Sequence, residues 1–139
     1  MDTTTIHVLF ICVFTFCVSI SSSLNSDGLS LLALKAAVTG DPTNSLATWT
    51  ETDFTPCHWT GIACDSNRRV TSVFLPNRNL TGYLPSELDA LLSLRHLSSN
   101  LLTGNLPETL SNLTNLGGTL NLSYNHFSGA IPPSYGLFR

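Results

Sequence analysis

Charged side chains are scarce in this chain. They make up 11% of its 139 residues, with a single lysine, Lys35, where an ordinary soluble domain carries roughly 25%. Net charge is −3, so no basic face is available for nucleic acid or anionic lipid. The shortage of Lys and Glu also excludes a charged coiled coil. Long apolar runs are missing too. From Ile6 to Ile20 fifteen residues carry no formal charge, short of the roughly 20 that a membrane-spanning helix needs, and after Ser23 no apolar run long enough to span a bilayer appears. The length suits one domain and leaves no room for a kinase or a large enzyme. What the chain has in quantity is leucine, 24 residues, with 45 of Ser, Thr and Asn. That much leucine excludes disorder, and hydroxyls and amides take over the solubilising task of charge.

The fifteen-residue run has the length of a secretory signal core, and Ser21, Ser22 and Ser23 supply small residues for cleavage. Asp2 stands where a basic residue is usual, so only the Met1 amine is positive. Residues 1–23 are therefore expected to be a signal peptide, with an exported mature chain that carries no membrane span. Cys12 and Cys17 leave with that segment. Cys57 and Cys64 remain, and in an oxidising compartment two such cysteines pair. Closing so short a loop stabilises by roughly 2–3 kcal/mol. The competing reading is a zinc site from Cys57, His58 and Cys64. It lacks a fourth ligand, and neighbouring residues seldom both reach one ion.

Residues 24–69 read as a cap. Leu29, Leu32, Ala33 and Ala36 recur at helix spacing behind Ser26 and Asp27, either of which can cap the first turn. Gly40-Asp41-Pro42 is expected to end that helix. Trp49 and Trp59 are expected to fill a small core.

From Val70 to Arg139 the sequence repeats itself. Leu80-Thr81-Gly82-Tyr83-Leu84-Pro85 returns as Leu102-Thr103-Gly104-Asn105-Leu106-Pro107 and again as Phe127-Ser128-Gly129-Ala130-Ile131-Pro132. The glycines lie 22 and 25 residues apart, inside the 20–29 range of leucine-rich repeats. Leu120-Asn121-Leu122-Ser123-Tyr124-Asn125 shows the L-x-L-x-x-N element, with Leu120 and Leu122 inward and Asn125 turned in to satisfy backbone groups. The Gly-x-φ-Pro segments are expected to return along the convex side without ladder bonds, where proline is harmless. Leu88, Leu91, Leu110 and Leu113 are expected to pack beneath them. The fold expected is an α/β leucine-rich-repeat solenoid of about three coils behind a helical, disulfide-bonded cap.

The cap WTETDFTPCHWTGIAC followed by L-x-G-x-φ-P repeats resembles the extracellular N-terminus of plant leucine-rich-repeat receptor-like kinases, over essentially all of residues 24–139. In that family the cap seals a solenoid, and a kinase lies beyond a transmembrane helix. The resemblance implies a non-enzymatic recognition module, extracellular or apoplastic, or at the plasma membrane as part of a longer receptor. Its partner would be a protein or peptide, including another leucine-rich-repeat ectodomain. A free-standing secreted protein resembling inhibitors of wall-degrading enzymes is the second reading, and a truncated product without function the third.

Three departures from the repeat pattern stand out. Arg78 occupies the first ladder-asparagine position. The middle repeat is short: either Leu97 to Asn100 keep the ladder register and Arg95 falls inward, or Leu94 and Leu97 keep the inward positions and Ser99 replaces a leucine. Either defect costs roughly 3–5 kcal/mol if left unrelieved. Leu116 to Thr119 carry one residue too many. No C-terminal cap follows the third coil, so self-association through an open C-terminal edge is expected.

Catalytic chemistry is not indicated. His58, His96 and His126 are scattered, no nucleophile–base–acid set or paired carboxylates appear, and no phosphate loop or kinase motif occurs. No catalytic, cofactor or metal residue is therefore assigned. The positive feature is a candidate concave face with Thr71, Ser72, Phe74, Arg95, His96, Asn121 and Tyr124 outward. An exposed aromatic there can anchor a partner or be an ordinary surface residue. Asn79-Leu80-Thr81, Asn112-Leu113-Thr114 and Asn121-Leu122-Ser123 are N-glycosylation sequons. A glycan on Asn121 would obstruct that face.

Overall fold

The structure is a computed structural model that describes residues 23–91, 94–112 and 120–137. Residues 1–22 of the expected leader and the extra residue near Thr119 lie outside the described residues, as do Leu113 and Thr114. Among the described residues no helix is long and apolar enough to cross a membrane.

Helix α1 runs Ser26–Ala37. Its cap is Asn25, not Ser26 or Asp27: the Asn25 carboxamide accepts the Gly28 N–H at 2.9 Å. Asp27 is freed for another task. Buried at 2% exposure, it accepts Nε of Arg69 at 2.9 Å, Nη2 at 2.8 Å and the Val70 N–H at 2.8 Å. That places Asp27 toward the core, and Ser30, Leu31, Leu34 and Ala37 follow it inward. The buried face is thus not the expected one, because Leu29 is 59% exposed and Ala36 also faces out. A leucine-rich helix offers two overlapping apolar stripes, and the Asp27–Arg69 pair selects between them.

The helix ends earlier than expected, at Ala37. Val38–Gly40 becomes strand β1, paired antiparallel with Thr81–Tyr83, strand β4. Gly82 makes that approach possible. Its φ is +130°, and a Cβ there would run into the Ala37 carbonyl, so only glycine fits. Downstream, Asp41 accepts the Ser45 N–H at 2.9 Å and the Leu46 N–H at 2.8 Å, which turns the chain into the buried Leu46 and Trp49. Trp49 and Trp59 are both buried and stack at 5.5 Å. Their indole N–H groups donate to Thr60 O and Asp53 Oδ2.

The remaining strands are β2 (Ile62–Cys64), β3 (Val70–Phe74), β5 (Leu94–His96), β6 (Leu101–Asn105) and β7 (His126–Ser128). They form two sheets, ordered β2-β3-β5 and β1-β4-β6-β7. The cap contributes one antiparallel strand to each, and successive coils add parallel ones. This corrects the expectation for the L-x-G segments, which carry ladder hydrogen bonds as β4, β6 and β7. Proline is tolerated because Pro85, Pro107 and Pro132 stand just past those strands, where no N–H is required. Short 3-10 turns, Ser86–Ala90, Glu108–Asn112 and Pro133–Leu137, close the coils. Leu88, Leu91 and Leu110 are buried among them, and the Tyr135 hydroxyl donates to Pro107 O at 2.6 Å across to the preceding coil.

Asparagines hold the coils in step. Asn100 accepts the Arg78 and Leu80 N–H groups at 3.1 Å each and donates to Leu75 O at 2.7 Å and Leu97 O at 3.2 Å. Asn125 repeats the device one coil later, accepting from Leu102 N and donating to Leu97 O and Leu122 O. Each such asparagine ties its own coil to the one before. Arg78 has only the cap before it, where Asp41 organises the turn and Thr43 Oγ1 donates to Arg78 O at 3.5 Å. An asparagine is not needed there.

The short middle repeat keeps its ladder register: Leu97 is fully buried and Asn100 makes the bonds just described. The missing length is absorbed one step earlier. Val73 pairs with Leu94 but Phe74 with His96, so Arg95 sits at a register shift in β5. Leu120 and Leu122 are half-buried against the core.

Candidate functional site

Along β3, Val73 and Leu75 are fully buried, so Ser72 and Phe74 face the other way. Phe74 pairs with His96 in the next coil, and His96 forms a parallel bridge to Asn121 in the one after. The Leu75 N–H donates to His96 O at 3.1 Å and the Leu97 N–H to Asn121 O at 3.0 Å. Three coils therefore place an aromatic ring, an imidazole and a carboxamide in one lateral row. Phe74 is 54% exposed, and the His96 ring meets it edge-on at 5.4 Å. The row is apolar at one end and hydrogen-bonding at the other, without a carboxylate or ammonium of its own. It offers surface recognition rather than acid–base chemistry.

The other expected members of the face are placed differently. Thr71 lies at the register shift where β2 and β3 fall out of step, opposite neither Ala63 nor Cys64. Arg95 belongs to β5 but not to the Phe74–His96–Asn121 row. Tyr124, 83% exposed, is not a strand residue. It sits in the following bend with φ 55°, as Asn77 and Ser99 do at the same place of their coils. It borders the row at the third coil.

A disulfide joins Cys57 and Cys64, tying the Pro56–His58 turn to β2. The Thr55 hydroxyl caps that turn from the Cys57 N–H. His58 is exposed, and no group of three or more His, Cys, Asp and Glu side chains able to hold a metal forms among the described residues. Beside the disulfide lies an open cleft of about 560 Å³ lined by Asp53, Phe54, His58, Asp65 and Arg68 among others. Phe54, 58% exposed, had no sequence signal beyond a lone aromatic between polar residues. Hydrogen bonds from Trp59 and Thr50, opposed by slight desolvation and helped by nearby His58, hold the Asp53 carboxyl below the ordinary carboxylate value.

Short strands in two sheets, ladder asparagines and a helical, disulfide-bonded cap define a leucine-rich-repeat fold with its N-terminal cap. Residues 24–65 and 84–111, half of the chain, match the leucine rich repeat N-terminal domain, and residues 119–138 match the leucine rich repeat. The chain belongs to that family, in the form found in plant receptor-like kinases. It is 42% identical over 129 residues to an inactive leucine-rich repeat receptor-like serine/threonine-protein kinase of Arabidopsis thaliana, covering 91% of this chain and 19% of that protein. Among solved structures it is similar to PEPR1–AtPEP1 (39% identity, TM-score 0.74, covering 83% of this chain and 17% of that one). It is also similar to the Arabidopsis receptor kinase HAESA in complex with the peptide hormone IDA and the co-receptor SERK1 (36% identity, TM-score 0.56, covering 84% and 24%). The chain spans less than a fifth of the curated relatives it matches, and the matched part is their leucine-rich ectodomain.

Proposed function

We propose that this chain is a non-enzymatic recognition module of a plant receptor-like kinase system, exported to the cell surface or apoplast, which contacts a peptide or a co-receptor ectodomain. Residues 1–23 act as its leader, 24–69 as its cap and 70–139 as its repeats. The observation that carries the reading is the Phe74–His96–Asn121 row, which presents half-exposed aromatic surface beside hydrogen-bonding groups on a rigid parallel sheet. Aromatic anchors flanked by polar groups supply most of the energy of protein recognition. The structurally similar receptor HAESA engages a peptide hormone and a co-receptor, which supports the same class of partner here.

The test is biolayer interferometry of the secreted chain against a panel of plant leucine-rich-repeat ectodomains and apoplastic peptide hormones. Phe74→Ala should weaken the interaction found by tenfold or more while leaving the melting temperature unchanged. Absence of any partner in the panel, or binding insensitive to Phe74, overturns the reading. Inhibition of a pectin-degrading enzyme by the same preparation favours the free-standing secreted inhibitor instead.

A further inference from the structure

We infer that the fold sorts this chain's sequons: Asn79 carries an N-glycan and Asn121 stays bare, so that the Phe74–His96–Asn121 row remains uncovered. Asn79 lies in the turn that leaves β3 and enters β4, outside the row, with its side chain exposed. Its neighbours are held by other means. Asn100 accepts the Arg78 and Leu80 N–H groups on either side, and Leu80 is buried. The backbone is thus fixed, while among the described residues no hydrogen bond engages the Asn79 carboxamide. A bulky, hydrated substituent there costs the fold nothing it uses. The left-handed φ of 54° at Asn79 accounts for an asparagine; the sequon hydroxyl, carried by Thr81 at the start of β4, lies 3.1 Å from the Thr39 hydroxyl rather than on the Asn79 carboxamide.

Asn121 is placed in the opposite way. It is half-buried in the row beside His96. Its Oδ1 accepts the Ser123 hydroxyl at 2.7 Å and the Ser123 N–H at 3.1 Å. The amide and the sequon hydroxyl are therefore held to one another, and a sugar on Nδ2 would stand in the same lateral row as His96. Asn112 ends the Glu108–Asn112 turn, and the rest of its sequon lies outside the described residues.

The reaction takes an oligosaccharide from a lipid-linked pyrophosphate donor of the secretory pathway. An N-glycosidic bond forms between Asn79 Nδ2 and the anomeric carbon as the sugar–phosphate bond breaks. Nδ2 gives up one proton, and the lipid pyrophosphate departs. The assignment rests on the exported state of the chain and not on the identity of any partner.

The full chain, with its own N-terminus, is expressed in plant cells and recovered from the apoplastic fluid. Glycan amidase treatment followed by peptide mass mapping reads each site through the Asn-to-Asp step the enzyme leaves. Asn79 should be converted and Asn121 should not. Thr81→Ala, which removes the sequon hydroxyl together with its bond to Thr39, should abolish the conversion at residue 79, whereas Thr81→Ser, which keeps both, should retain it. Bare Asn79 or an occupied Asn121 in exported protein overturns the assignment. A chain retained in the cytosol overturns it together with the secretory reading beneath it, and cell fractionation tells the two failures apart.

Discussion

Asn100 engages five backbone groups in two coils from a side chain that is 2% exposed. Replacing it with alanine leaves two N–H and three C=O groups without that partner, and the three buried ones, Leu80 N–H, Leu75 O and Leu97 O, are each worth about 1–3 kcal/mol. Asn100→Ala should therefore destabilise by about 3–5 kcal/mol, at the top of the range for single substitutions. Asn125→Ala should cost less, because its site is only half-buried. Urea denaturation of the secreted chain measures both. Asp27 predicts a pH dependence. Burial alone would raise its carboxyl, but the Arg69 and Val70 hydrogen bonds and the Arg69 charge prevail and hold it below 3.8. A carboxylate depressed in the folded state stabilises fully above its unfolded pKa, and that stability is lost as pH falls through the folded value. Melting temperature should thus drop below about pH 4, and Asp27→Asn should lower it at pH 7 while flattening the acid limb. An acid limb unchanged in Asp27→Asn would refute this.

At the scale of elements, the helix tests which face packs. Leu31→Ala or Leu34→Ala should cost about 2–5 kcal/mol, whereas Leu29→Ala should stay within about 0.5 kcal/mol. Equal effects from all three would mean the helix is rotated from the orientation described. The junction of cap and coils predicts a second outcome. Gly82→Ala meets both a positive φ and the Ala37 carbonyl, so it should destabilise by more than about 1 kcal/mol. Gly104→Ala, whose Cβ would meet only Tyr83 Cβ at 3.6 Å, should be milder despite its own positive φ. Thermal melts of the two variants rank them.

At the scale of the molecule, the cap seals the first coil through three ties: β2 on β3, β1 on β4, and the Asp27 carboxylate on the Val70 N–H. The Cys57–Cys64 bond lies wholly within the cap and closes a short loop, so its contribution is about 2–3 kcal/mol. The Cys57→Ser/Cys64→Ser double variant should melt lower by several degrees yet keep both sheets, because no cap-to-coil tie passes through the sulfurs. Far-ultraviolet circular dichroism and a melt decide between that outcome and collapse of the repeats.

Much of this architecture was legible in the sequence because it is written in repetition. Three copies of L-x-G-x-φ-P, with Asn125 after a paired leucine strand, determine the class of fold, and the Trp-bearing cysteine pair marks the cap. Phe74 was readable as an outward strand residue. The choices left open depend on pairings far apart in the chain. Strands of three residues are too short to show alternation, so the second sheet emerges only when coils stack. Which stripe of α1 turns inward follows from Asp27 meeting Arg69, 42 residues away. The short repeat keeps its ladder because a register shift at Arg95 costs less than an orphaned Asn100. Local pattern determined the kind of coil, and contacts between coils decided which side chains share a face.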